Sequence, residues 1–300
     1  MRCASNTWIS TAAGSADVAL LTVLITHLPA EAVEANVRHL ERVAPGARVL
    51  VCHGGRREDF EQITRPHKLF VEDPDLRAPP ITIQSYNEIV RRVWEEGVRD
   101  EPAIEAVYIL EYDQVVLRSD YERVVLGVLA LTGADFVGKN CVDRTRTNWV
   151  HYLRFREDPG LLAFLRRISV RDDHERMFGC LGTGLLMRRA VVSALATMEH
   201  YRPAYNELYL PTVVHHLGFR VDDISRVTDL YAHVRWLPAY ELTEALRLQA
   251  AGAVFVHPFK DWRALPVLEA AALSPSAPPS AGDASSVPQT SAGNSAMGMR

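Results

Sequence analysis

Apolar positions along this chain switch between two periods, one near 2 and one near 3.6. Val18–Thr26 is β-branched and apolar throughout and predicts a strand. "PAEAVEANVRHLERV" follows, with Val33, Val37, Leu40 and Val43 at helical spacing. "ARVLVCH" (Ala47–His53) predicts a second strand. Ser85–Val98 predicts a helix capped by Ser85, with Ile89, Val93 and Trp94 on one face. Val107–Leu110 predicts a further strand, "SDYERVVLGVLALTG" (Ser119–Gly133) a second capped helix, and "ADFVGKN" the strand after it. Strands alternating with helices in this order predict an α/β fold: a single Rossmann-like domain whose central sheet is mostly parallel and flanked by helices. Residues 1–16 are small and polar and predict a flexible N-terminus; 273–300 are rich in Ser, Ala, Pro and Gly and predict a disordered tail. The folded domain is then 17–272, without an internal repeat.

One stretch breaks the apolar pattern. In "AVYILEYDQVVL" (Ala106–Leu117), Glu111 and Asp113 follow an apolar strand, and the chain then turns apolar again. A buried carboxylate is costly unless it is paired or holds a metal. Side chains alternate along an extended chain, so these two acids share a side and repel. A hard divalent cation, Mg²⁺ or Mn²⁺, relieves such a pair and completes its shell with waters and phosphate oxygens. Ligands of parallel sheets bind beyond the carboxyl ends of the strands, where this pair falls. On these residues alone, a solvated acid pair in a loop is an equal alternative.

The apolar strand, the acid-x-acid turn "EYD", and the helix and strand leading to "GADFVGK" resemble the GT-A glycosyltransferases. That resemblance implies an α/β nucleotide-binding domain, a divalent metal (Mn²⁺ or Mg²⁺) and a nucleoside diphosphate sugar as donor. Asp113 would be a metal ligand, and Glu111 would assist at the ribose or a metal-bound water. Later features occur in matching order. "FGCLGTGLLMRRAVVSAL" (Phe178–Leu195) holds Gly182 and Gly184 in a turn that would border donor sugar and acceptor. Glu207 stands at the start of a helix within "YNELYLPTVVHHLGFRVDDI" and would take the proton from the acceptor hydroxyl in an inverting reaction. The neighbouring His215 and His216 read as structural. "AVFVHPFKDW" ends a strand in His257, which by this resemblance would be a second metal ligand, with Lys260 meeting the leaving diphosphate. Thr26 and His27, ending the first strand, would meet the nucleotide, as would Ser85, Tyr86 and Asn87. The motif has Glu where Asp is commoner, and Asp143–Arg176, with "RTRTNW" and "RDDHERMF", matches no part of the pattern; this region is expected to shape the acceptor site.

Composition narrows the rest. A formal net charge of −4 without a long basic block gives no electrostatic basis for nucleic-acid binding. The four cysteines are scattered, which fits a reducing compartment and neither a disulfide framework nor a zinc knuckle. "VALLTVLITHL" is shorter than the ~20 residues a membrane-spanning helix needs, so no transmembrane segment and a cytoplasmic location are expected. A sugar nucleotidyltransferase would carry a glycine-rich basic loop after the first strand, where this chain has "HLPAEAVEAN". An aspartyl phosphatase would place Asp, not Glu, at the strand end. A GT-A-like domain that binds nucleotide without turnover stays as the alternative. The acceptor, whether glycan, lipid-linked or small-molecule hydroxyl, is left open by the sequence.

Overall fold

The computed structural model describes residues 19–72, 86–202 and 204–273. The expected flexible N-terminus, Ser85 and nearly all of the expected tail lie outside them. The strands are β1 (Ala19–Thr26), β2 (Arg48–His53), β3 (Lys68–Phe70), β4 (Ile104–Glu111), β5 (Val115–Val116), β6 (Phe136–Gly138), β7 (Val142–Asp143), β8 (Phe178–Gly179), β9 (Leu185–Arg188), β10 (Val221–Asp223) and β11 (Phe255–Val256). The α-helices are α1 (Ala30–Val43), α2 (Arg57–Gln62), α3 (Asn87–Val93), α4 (Tyr121–Thr132), α5 (Val150–Phe155), α6 (Pro159–Ile168), α7 (Arg189–Thr197), α8 (Asn206–His216), α9 (Leu242–Ala250) and α10 (Leu265–Leu273).

Seven strands form the main sheet in the order β10-β6-β9-β4-β1-β2-β3, so the acid-bearing strand is its centre. The α/β class and mostly parallel sheet are as the hydrophobic pattern predicts. Alternation explains the layering. Leu21, Val23, Val107 and Ile109 enter one core cluster, while Leu20, Leu24, Tyr108 and Leu110 enter the other. Both faces of β1 and β4 are therefore covered, which is why they read as continuous apolar runs. Each such Leu or Ile stabilises the fold by about 1.5–3 kcal/mol through burial. α8 is buried along its whole length, from Asn206 to His216. Among the described residues, no helix is long and apolar enough to cross a membrane.

Three features depart from the expectation. First, β9 runs antiparallel to both β4 and β6. An antiparallel strand begins where its parallel neighbours end, so the glycine-rich turn before β9 lies at the carboxyl edge beside the acids. Second, the apolar residues after the acids leave the sheet: β5 pairs antiparallel with β11 in a separate ribbon. Third, the two expected serine caps are not the caps observed. α3 has Tyr86 at its N-cap, in the left-handed region at φ 60°, and α4 has Asp120, whose carboxylate bonds Arg118 and Arg123 instead of the helix N–H groups.

Gly184 shows how tightly the turn is built. Its φ is +68°, and a Cβ there would lie 2.7 Å from the Tyr231 hydroxyl. Gly252 also has a positive φ, +86°, but open space around it. Gly252→Ala should cost about 1–2 kcal/mol, the backbone strain alone. Gly184→Ala should cost a further ~1–3 kcal/mol from the clash. Urea unfolding of the two variants checks this; equal losses would show that the Tyr231 contact gives way freely.

Candidate functional site

The site is built where β4 ends. After Glu111 the chain turns back on itself, with the Gln114 N–H donating to the Glu111 carbonyl at 2.9 Å. β5 then pairs with β11, Val115 opposite Val256, which delivers His257 to the turn from far along the chain. The Phe259 N–H donates to the Asp113 carbonyl at 2.7 Å and fixes this return. Donor atoms of Glu111, Asp113 and His257 consequently lie within 4.8 Å of one another. The two acids converge as expected, but by the turn and not by strand alternation, since β4 ends at Glu111 and Asp113 lies within the turn.

The chemistry of these three groups fits a cation. His257 Nδ1 lies 2.7 Å from the Arg235 carbonyl, so Nδ1 holds the proton and Nε2 turns its lone pair to the acids. Nε2 is 3.3 Å from Asp113 Oδ1 and 3.9 Å from Glu111 Oε2. Asp113 Oδ1 is buried without a hydrogen-bond partner. A neutral imidazole would set lone pair against lone pair here, which a cation between them would relieve. The proton plays that part in its absence: burial opposes the charged ring, yet Asp113 and Glu111 raise the His257 pKa. Burial likewise raises the Glu111 pKa, against the pull of the Tyr86 hydroxyl, which donates to its Oε1 at 2.5 Å.

A chain of buried hydrogen bonds locks the acid turn to the glycine-rich turn. The Glu111 N–H donates to Thr183 Oγ1 at 3.3 Å, Thr183 Oγ1 donates to Gln114 Oε1 at 2.5 Å, and Gln114 Nε2 donates to the Tyr108 hydroxyl at 2.7 Å. The hydroxyls of Tyr108 and Tyr231 are 2.9 Å apart, and Tyr231 also donates to the Gly184 carbonyl at 2.7 Å. Every buried polar group in this chain has a partner, so the turns cannot shift independently without orphaning one.

Glu207 enters the same cleft, a cavity of about 260 Å³ that also takes in Glu111, Asp113, Gly182, His257 and Lys260. It sits in the first turn of α8, and Pro211 falls four residues after it. Proline has no N–H, so the Glu207 carbonyl is released from the helix ladder. The Cys180 N–H takes it at 2.9 Å, while the Gly182 N–H donates to Glu207 Oε1 at 3.0 Å. Main chain and side chain of one residue are thus both tied to the glycine-rich loop. Gly182 allows this approach, since a Cβ there would come 2.9 Å from Asn206 Nδ2 and 3.3 Å from Glu207 Cγ. Glu207 is 6% exposed. Burial pushes its pKa up to about 7, against the Gly182 N–H, and the negative charge of Glu111 adds to the rise.

No family model matches the chain, and no curated protein matches it. Among solved structures it is similar to the galactosyltransferase LgtC in complex with donor and acceptor sugar analogues, at 10% identity over 68% of this chain and 72% of that one, with a TM-score of 0.36. An active-site mutant of LgtC is also similar, at 12% identity over 83% of this chain and 95% of that one, with a TM-score of 0.41. What the site does rests on its own side chains.

The remaining expected residues are placed as follows. Lys260 lines the cleft. Thr26, at the end of β1, is buried, and its hydroxyl accepts the Leu28 N–H at 3.2 Å. His27 is exposed, its ring 4.9 Å from that of Tyr112. These two rings stand between the ends of β1 and β4, where the strand order reverses. His216 has both nitrogens engaged, by Ser169 Oγ and the Arg176 carbonyl. With His215 and Asp173 it forms a second group of possible metal donors, but Arg176 pairs with Asp173 there. Sequence reasoning did not single out Tyr205, Asn206, Pro211 or Trp236. The proline inside an otherwise helical pattern was the readable signal for a special carbonyl nearby.

Wild-type protein should bind Mn²⁺ in electron paramagnetic resonance titrations. Asp113→Ala should weaken binding by about tenfold or more, and Asp173→Ala should leave it unchanged. The opposite pattern would move the metal site to α8.

Proposed function

We propose that this chain is a divalent-metal-dependent glycosyltransferase that moves a sugar from a nucleoside diphosphate sugar to an acceptor hydroxyl, with inversion at the anomeric carbon. The observation that carries this reading is the meeting in one cleft of three donors able to hold a cation, Glu111, Asp113 and His257, with a carboxyl, Glu207, whose pKa burial pushes up to about 7. A triad of this kind suits Mn²⁺ or Mg²⁺, held by Asp113 and His257 with Glu111 alongside. When bound, such an ion neutralises the diphosphate as the glycosidic bond breaks.

The chain's own residues carry the other tasks. His27 and Tyr112, at the crevice between β1 and β4, offer ring faces and edges to the nucleoside. Lys260 brings a positive charge to the diphosphate. Gly182 brings bare backbone into the cleft beside Glu207, where the donor sugar would lie, whereas the Tyr231 hydroxyl fills the space at Gly184, so Gly184 shapes the turn and does not meet the sugar. Glu207 accepts the acceptor hydroxyl's proton as that oxygen bonds to the anomeric carbon, and the bond from that carbon to the diphosphate oxygen breaks with its electron pair going to the diphosphate. A base with a pKa near neutrality is deprotonated in useful amounts at working pH and still binds the proton it receives. The resemblance to GT-A enzymes in the order of sequence features supports the same assignment.

Glu207→Gln should retain Mn²⁺-dependent binding of UDP or GDP and lose transfer by about 10²-fold or more. In the wild type, kcat/KM should rise with pH through an apparent pKa near 7 and level off above it, because only the deprotonated carboxylate serves as base. Transfer retained by Glu207→Gln would remove the base and point to a retaining reaction.

A further inference from the structure

Next to the cleft, and sharing Glu207 with it, is a second chamber of about 530 Å³. Glu207 and Trp236 line both cavities, so the carboxyl that faces the acids also faces this space. Glu207 Oε2 is 3.7 Å from His151 Nε2. Burial lowers the His151 pKa to about 4, so the ring is neutral, and its Nδ1 is buried without a hydrogen-bond partner.

The charges of the chamber are unbalanced. Glu207 is the one acid in its lining, against Lys139, Arg144 and Arg235. Two of these cations are already engaged. Lys139 Nζ donates to the carbonyls of Tyr231 and Val234. Arg235 lies 3.6 Å from Glu244 and stacks 3.7 Å from the Tyr240 ring. Arg144 differs: it gives one N–H to the Asn140 carbonyl at 3.2 Å, its Nε is buried without a partner, and no carboxylate among the described residues pairs with it. Its guanidinium lies 5.0 Å from the centre of the Trp149 ring. At the mouth, Trp236 is 57% exposed, a large flat apolar surface left to solvent.

We propose that this chamber is the acceptor subsite and that its acceptor joins an anionic group, a carboxylate or a phosphate, to a flat ring. The anion sits on Arg144, the ring lies against Trp149 and Trp236, and the reacting hydroxyl reaches Glu207. The fork of an arginine suits either anion, and an indole face suits either a sugar's C–H face or an aromatic ring. This assignment rests on the transferase reading only for the word acceptor; the ligand class follows from Arg144 and the two tryptophans.

The test uses the full chain in metal-free buffer with three probes: p-nitrophenyl glucuronide, p-nitrophenyl phosphate and the neutral p-nitrophenyl glucoside, each titrated by saturation-transfer NMR. At least one anionic probe should bind about tenfold or more tightly than the glucoside, and which one does so separates a carboxylate from a phosphate ligand. Arg144→Gln should erase that preference and leave glucoside affinity unchanged. Trp236→Ala, at an exposed position, should weaken all three. No preference for either anion, or a preference that survives Arg144→Gln, would overturn the proposal. UDP binding with Mn²⁺ is measured in parallel on the same proteins. Its failure in the wild type would sink the transferase reading while the probe preference still judged the chamber.

Discussion

Two carboxylates and an imidazole lone pair crowd the carboxyl end of the central strand, and nothing in the polypeptide fully satisfies them. Asp113 Oδ1 has no hydrogen-bond partner, and His257 Nε2 stands 3.3 Å from it. Without a cation the arrangement opposes folding, so the surrounding structure has to enforce it. The enforcement is visible. β4 is buried on both faces, β5 and β11 clamp the turn from the far side, and the Arg235 carbonyl fixes the His257 ring.

The same logic extends to Glu207. Its raised pKa needs burial, and burial of a carboxyl needs compensation. Pro211 frees its carbonyl for Cys180, and Gly182 supplies an N–H to its side chain. The glycine-rich loop thereby touches both halves of the site: through Thr183 it holds the acid turn, and through Gly182 it holds Glu207. A displacement of this loop would disturb the acid turn and Glu207 together. Its glycines are required by close approach and by the positive φ at Gly184.

Much of this was legible in the chain. The alternation of strands and helices gave the α/β class, and the nearness of Glu111 and Asp113 was also expected, although a turn after Glu111, and not an extended strand, produces it. Other features depend on contacts between segments far apart. Nothing in "LLMR" marks β9 as antiparallel, because direction is set by partners and not by local pattern. The apolar run after Asp113 carries no assignment of its own in the pattern, and its pairing with Phe255 and Val256 sets it in a ribbon apart from the main sheet. Ser119 reads as a helix cap, yet the cap falls on Asp120, whose carboxylate two arginines engage. Arg144, Trp149 and His151 stood in a segment without a recognisable pattern, since the cavity they line forms only where they meet Cys180, Glu207 and Arg235 from distant parts of the chain.

The central claim is that the triad and a diphosphate need each other through a divalent ion. The most direct measurement is the melting temperature of the wild-type protein with UDP or GDP, each with and without Mn²⁺. Ligand that binds only the native state raises it by mass action. One nucleotide together with Mn²⁺ should raise it by several degrees, clearly more than the sum of the separate effects. A rise from nucleotide alone that Mn²⁺ does not increase, or no rise with either pair, would contradict the claim.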